Sequence, residues 1–87
     1  MTATTTRTWF VTGASRGLGA DIVRAVLAAG DRVVATARNR QALVDALGPD
    51  ANNLLSLALD VTRPDQVQAA VNAALARFGR IDVLVNN

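Results

Sequence analysis

The 87-residue chain contains no cysteine, histidine, tyrosine or lysine. Without cysteine it can form neither a disulfide nor a thiolate metal site. Without histidine a zinc site would need carboxylates alone, so no metal ligands are assigned. The usual donors and acceptors of acid–base catalysis are nearly all missing, and the only serines are Ser15 and Ser56. No catalytic residue is therefore assigned within the chain. Aromatic residues are limited to Trp9, Phe10 and Phe78, and the arginines are scattered. Nucleic-acid binding needs a basic stripe and aromatic platforms, and is not expected. The apolar runs fall far short of the roughly 18 residues of a membrane span. The N-terminal MTATTTRT is polar and lacks the apolar core of a signal peptide. These absences predict a cytoplasmic chain with no membrane partner.

What is present is a rhythm. Apolar residues make up 51% of the chain, enough for one small folded domain. The net charge is only +2, and the pI of 11.1 arises because every basic residue is arginine. After a polar tail over 1–6, predicted to be flexible, TWFVT (8–12) reads as a strand. Leu18, Ile22, Val26 and Ala29 then fall at helical spacing, with Val23 and Leu27 beside them and Gly30 as the stop. RVVATA (32–37) is a second strand, Arg40–Leu47 a short helix before Gly48-Pro49, and LLSLAL (54–59) a third strand. Thr62-Arg63-Pro64-Asp65 resembles a capping box. It opens a helix whose stripe is Val67, Val71, Leu75 and Phe78, ended by Gly79; IDVLV (81–85) follows as a fourth strand. Continuous apolar strands alternating with helices predict an α/β fold: a parallel sheet covered on both faces.

The first strand runs into T12-G13-A14-S15-R16-G17-L18-G19, which opens the first helix. A helix N-terminus offers unpaired N–H groups and partial positive charge, and both suit a phosphate. Glycines let a pyrophosphate lie against the turn and let the helix pack close to the strand. TGASRGLG resembles the cofactor turn of the short-chain dehydrogenases/reductases, in the subgroup with TGxxxGxG spacing. LDVT (59–62) is similar to that family's adenine-contacting Asp-Val. VNN (85–87) is similar to the start of its Asn-Asn-Ala-Gly motif. Each motif stands at a strand end, and the resemblance covers residues 8–87.

The resemblance implies a Rossmann-type parallel sheet of four strands, order 3-2-1-4, with three crossover helices, over residues 7–87. It implies Gly13, Ser15, Arg16, Gly17, Leu18, Gly19, Arg38, Asp60, Val61 and Asn87 as cofactor-binding residues. Leu18 and Val61 would be apolar walls, Asp60 would meet the adenine amino group, and Asn87 would face a ribose. Asn86 would be a structural hydrogen-bonder between strand ends. NAD sites place an acid after the second strand to bond the ribose 2′-hydroxyl. Here the strand ends Ala35-Thr36-Ala37-Arg38, and the next acid is Asp45. Arginine instead forks onto a 2′-phosphate. NADP(H) is therefore the expected cofactor, with Ser15, Arg16 and Arg38 as the implied 2′-phosphate contacts. Arg38 also argues against an S-adenosylmethionine site, which wants an acid there.

In the family, a tyrosine acts as acid or base, helped by lysine, serine and asparagine beyond the Asn-Asn-Ala-Gly motif. This chain stops within that motif, so IDVLVNN is expected to be a cut. The reading is an NADP(H)-binding N-terminal half-domain, apparently truncated, of a reductase. The parent would act on a small carbonyl or alcohol and form a homo-oligomer. The alternative is a stand-alone, non-catalytic NADP(H)-binding module. The strand at 81–85 is expected to be an open apolar edge.

Overall fold

A computed structural model describes residues 6–87. Apart from Thr6, the tail expected over 1–6 lies outside the described residues. The chain alternates strand and helix: β1 (Thr8–Val11), α1 (Gly17–Ala28), β2 (Arg32–Ala37), α2 (Arg40–Leu47), β3 (Leu54–Ala58), α3 (Pro64–Phe78) and β4 (Val83–Val85). All pairings are parallel, in the order β3-β2-β1-β4. The predicted order and element count hold.

Side chains alternate across the sheet, and each face finds a helical partner. Val11, Val33, Ala35 and Leu54 pack with Val23 and Val26 of α1 and Leu43 of α2. On the opposite face Phe10 and Val34 pack with Ala70, Ala74 and Phe78 of α3. Leu43 is the one buried residue of α2, so it carries that helix's attachment. A fully buried leucine is worth about 1.5–3 kcal/mol. Helix α3 covers only part of its face. Leu84, the register partner of Phe10, remains 67% exposed. Among the described residues no helix is long and apolar enough to cross a membrane.

Three local expectations are corrected. The Thr62 capping box does not form: Arg63 is the N-cap of α3, in extended conformation and without a side-chain cap. Proline at the next position disfavours helical geometry at Arg63, so the helix starts one residue late for Thr62 to reach it. The Thr62 hydroxyl instead donates to Asp60 Oδ1 at 2.7 Å. The buried stripe of α3 is Ala70, Ala74 and Phe78, whereas Leu75 is exposed. The small alanines let the helix axis approach the sheet, which turns the larger Leu75 outward. In α1 the buried face is Gly19, Ala20, Val23 and Val26, while Leu18 and Ala29 are exposed.

Candidate cofactor-binding site

The chain leaves β1 in opposite directions, toward β2 on one side and toward β4 on the other. A parallel sheet opens a crevice at such a switch point, outside the C-terminal strand ends. Here it is a cleft of about 480 Å³. Its walls come from the glycine turn (Thr12, Gly13, Ser15, Arg16), the end of β2 and the start of α2 (Thr36, Ala37, Arg38, Asn39, Ala42), the segment after β3 (Leu59, Val61), and Asn87.

The glycine turn is held from three sides. Thr12 N–H donates to Val85 O at 3.0 Å, and Ala14 N–H donates to Thr36 O at 3.0 Å. Asn87 Nδ2 donates to Gly13 O at 3.1 Å. The Thr12 hydroxyl accepts Asn87 N–H at 3.0 Å and shares its own proton between Asn86 Oδ1 (3.3 Å) and Val85 O (3.4 Å). The two asparagines therefore both tie the end of β4 to the end of β1.

Backbone conformation at Gly13 and close packing at Gly19 select glycine. Gly13 has φ +59°, the left-handed region. A Cβ on Gly19 would lie 2.1 Å from Gly13 O. Without side chains, α1 begins directly behind the turn. Its N-cap Arg16 makes no side-chain cap, and its first turn contains no acid. Helix α2 differs, since Asn39 Oδ1 accepts from Gln41 N at 2.9 Å and Ala42 N at 3.4 Å. Among the described residues, the N–H groups at the start of α1 have no such side-chain acceptor, and they follow directly on Ser15 and Arg16, which line the cleft.

The charge of the cleft is one-sided. Arg16 and Arg38 line it, and no acid does. Asp60 stands just outside, beside Val61. Its Oδ1 accepts the Thr62 hydroxyl and Thr62 N–H (2.9 Å), and its own N–H donates to Gln66 Oε1 at 2.9 Å. The Thr62 hydroxyl bond, then the Thr62 N–H bond, hold its carboxyl below the usual carboxylate range, with Arg38 and Arg63 adding to the effect. Asp60 is thus ionised at neutral pH, with Oδ2 left for a donor.

Six of the sequence-derived candidates line the cleft together: Gly13, Ser15, Arg16, Arg38, Val61 and Asn87. Gly17, Leu18, Gly19 and Asp60 do not. Gly17 and Gly19 shape the turn, Leu18 is exposed at the start of α1, and Asp60 flanks the rim. Thr12, Thr36, Asn39 and Ala42 also line the cleft but were not among the candidates. Asn39 was legible as an asparagine directly before a helical run. Thr36 is buried, donates to Val11 O at 3.1 Å, and carries no local signal.

The chain matches the short chain dehydrogenase family over residues 7–87. The oxidoreductase BOA17 of Botryotinia fuckeliana is 46% identical over 83 residues, 94% of this chain and 30% of the relative. Among solved structures, a short-chain dehydrogenase from Streptomyces avermitilis superposes with a TM-score of 0.87 at 43% identity, covering 95% of this chain and 31% of the other. The 3-ketoacyl-(acyl-carrier-protein) reductase from Brucella melitensis, solved in complex with NADH, gives 0.83 at 31% identity, covering 90% and 32%. This chain belongs to the short-chain dehydrogenase family, and it spans about 30% of the length of these relatives.

Proposed function

We propose that residues 7–87 are the NADP(H)-binding N-terminal portion of a short-chain oxidoreductase. The observation that carries this is a helix start without a side-chain cap, behind a turn with a left-handed Gly13 and a Gly19 packed too tightly for a side chain, next to a cleft with two arginines and no acid. The donor set fits a dinucleotide phosphate. The pyrophosphate would lie on the turn and the first N–H groups of α1. Ser15, Arg16 and Arg38 would hold the 2′-phosphate. Asp60 Oδ2 would accept from the adenine amino group, Val61 and Leu18 would wall the ligand, and Asn87 would face a ribose.

When bound, the nicotinamide would exchange hydride with a carbonyl or alcohol carbon. The residues present here bind and orient; none is suited to move the accompanying proton, because the chain has no tyrosine, lysine or histidine. That task falls to residues of the parent outside these 87. The parent would be a cytoplasmic homo-oligomer acting on a small carbonyl or alcohol. Support for the carbonyl or alcohol chemistry comes from the relatives, which carry oxidoreductase and 3-ketoacyl reductase names.

Arg38→Ala tests the cofactor assignment. NADPH affinity should fall by about 1.5–3 kcal/mol, roughly one to two decades in Kd. NADH affinity should barely change. Titration calorimetry on both cofactors reads the difference, and equal losses overturn the 2′-phosphate assignment.

A further inference from the structure

Strand β3 is an outer strand of the sheet, yet its backbone is not bare. Val33 N–H donates to Asn53 O at 2.8 Å, and Leu59 N–H donates to Ala37 O at 2.8 Å. Residues of one parity thus face β2, and alternation turns Leu54, Ser56 and Ala58 outward. An outward row of this kind is a template for another strand. The sequence heightens the hazard, since LLSLAL has no charge, proline or glycine.

Two devices occupy the row. At Leu54 the chain turns back on itself: Ala51 N–H donates to Leu54 O at 3.0 Å, and Leu54 N–H to Ala51 O at 3.3 Å. Arg77 of α3 fixes this segment by donating to Ala51 O at 2.6 Å. At Ser56 the partners are side chains. Ser56 N–H donates to Asp50 Oδ1 at 2.9 Å, and Arg40 Nε donates to Ser56 O at 3.0 Å. Arg40 Nη2 and Asp50 Oδ2 then meet at 3.3 Å. One acceptor and one donor, clamped together, meet the two backbone groups of a single outward residue. A neighbouring strand would supply the same pair.

We propose that Arg40 and Asp50 act as a surrogate strand that closes the β3 margin against β3 of a second copy of this chain. The occupant excluded is a second copy because LLSLAL is uncharged along its whole length and apolar at every position but Ser56, so it can pair with itself. Arg40 is the first residue of α2 and Asp50 lies beyond that helix, so the closure forms only once α2 has docked.

The test is residue-resolved amide exchange with sedimentation velocity on the parent, Asp50→Ala, Asp50→Asn and Arg40→Ala. At low concentration Asp50→Ala should speed Ser56 exchange by about tenfold or more, with Val34 and Ala35 unchanged. At high concentration Ser56 and Ala58 should regain protection as the sedimentation coefficient rises. Asp50→Asn keeps a carbonyl oxygen for Ser56 N–H and should stay protected at all concentrations. Parent-like exchange at Ser56 in Asp50→Ala overturns the proposal. So does association that leaves Ser56 and Ala58 unprotected. If Asp50→Ala loses protection everywhere, Arg40→Ala decides, because it bares Ser56 O but keeps the Asp50 acceptor. It must then show concentration-dependent protection at Ala58, and its absence overturns the proposal.

Discussion

Gly19→Ala sets two effects against each other, and the structure says which wins. Gly19 lies in the first turn of α1, where alanine is normally the better helix former by about 1 kcal/mol. Against this, the new Cβ would lie 2.1 Å from Gly13 O, 2.9 Å from Gly13 C and 2.8 Å from Asn87 Nδ2. Ordinary contact begins near 3.4 Å, so the turn must retreat by more than an ångström. It is not free to do so. Gly13 O accepts Asn87 Nδ2, and the next residue, Ala14, donates to Thr36 O. Two strained or lost bonds at roughly 0.5–1.5 kcal/mol each add to an overpacking penalty of about 1–3 kcal/mol. The net loss is about 1–5 kcal/mol after the propensity gain.

Urea unfolding followed by Trp9 fluorescence reads this loss, because Trp9 Nε1 donates to Asp31 Oδ2 at 3.1 Å, so the lone indole reports on the sheet. The thermal midpoint should fall by at least about 4 °C. Gly17→Ala is the control. Its Cβ would meet nothing within 4 Å, but its φ is +59°. It should therefore cost only the left-handed penalty, about 1–2 kcal/mol. NADPH affinity should drop sharply in Gly19→Ala, since the displaced Gly13 belongs to the proposed phosphate cradle. A Gly19→Ala protein at least as stable as the parent, with unchanged NADPH affinity, refutes the steric argument.

Two further outcomes follow from other contacts. The Asp82 carboxyl is held below the ordinary carboxylate range first by Thr8 N–H, at 2.7 Å, and second by Arg80. A carboxylate with a depressed folded pKa stabilises above its unfolded value, near 3.9, and that contribution is lost as pH falls through the folded pKa. Thermal melts should thus be flat in this contribution from pH 7 to about 5 and decline below about 4; Asp82→Asn should flatten the decline, and an unchanged acid limb contradicts the assignment. Asn39 caps α2 and also lines the cleft beside Arg38. Asn39→Ala should cost about 1 kcal/mol of stability. Asn39→Asp keeps the cap but sets a negative charge by the proposed 2′-phosphate position, so it should melt like the unsubstituted chain while losing NADPH affinity; binding unchanged in Asn39→Asp counts against that phosphate position.

The fold was legible because each of its signals was local. Four apolar runs, a glycine turn and three helical stretches mark the elements, and the family resemblance together with right-handed crossovers supplies the order 3-2-1-4. The errors fell where tertiary contact overrides local preference. Thr62 has the residue type of a cap, but Pro64 moved the helix start and Asp60 took the hydroxyl. Leu75 outranks alanine in hydrophobicity, yet close approach to the sheet selected Ala70 and Ala74. In the cleft, residues belonging to a contiguous motif were found, and Thr36 was not, because only pairing beside β1 brings it there. The Arg40–Asp50 closure was likewise out of reach, since nothing in the spacing of those residues names Ser56 as their shared partner.

The distribution of acids makes the cleft's charge an outcome of the whole sheet. The acidic residues are all aspartates, and almost every one is engaged away from the cleft. Asp21, Asp50, Asp65 and Asp82 pair with Arg24, Arg40, Arg63 and Arg80. Asp31 accepts Arg7 N–H and Trp9 Nε1, and Asp45 accepts Gln41 Nε2. Two of them, Asp50 and Asp82, take a strand N–H, from Ser56 and Thr8, and Asp31 takes that of Arg7 just before β1. Structural work thus holds the negative charge at the sheet margins and on outer helix surfaces. Arg16 and Arg38, by contrast, make no ion pair among the described residues. Two unpaired guanidinium groups facing one cleft repel each other, and an anion bound between them relieves that repulsion. A 2′-phosphate carries about two negative charges at neutral pH, whereas a 2′-hydroxyl carries none. On the reading proposed above, this layout would favour the phosphorylated cofactor through charges the cleft already holds. Raising ionic strength should accordingly weaken NADPH binding more than NADH binding.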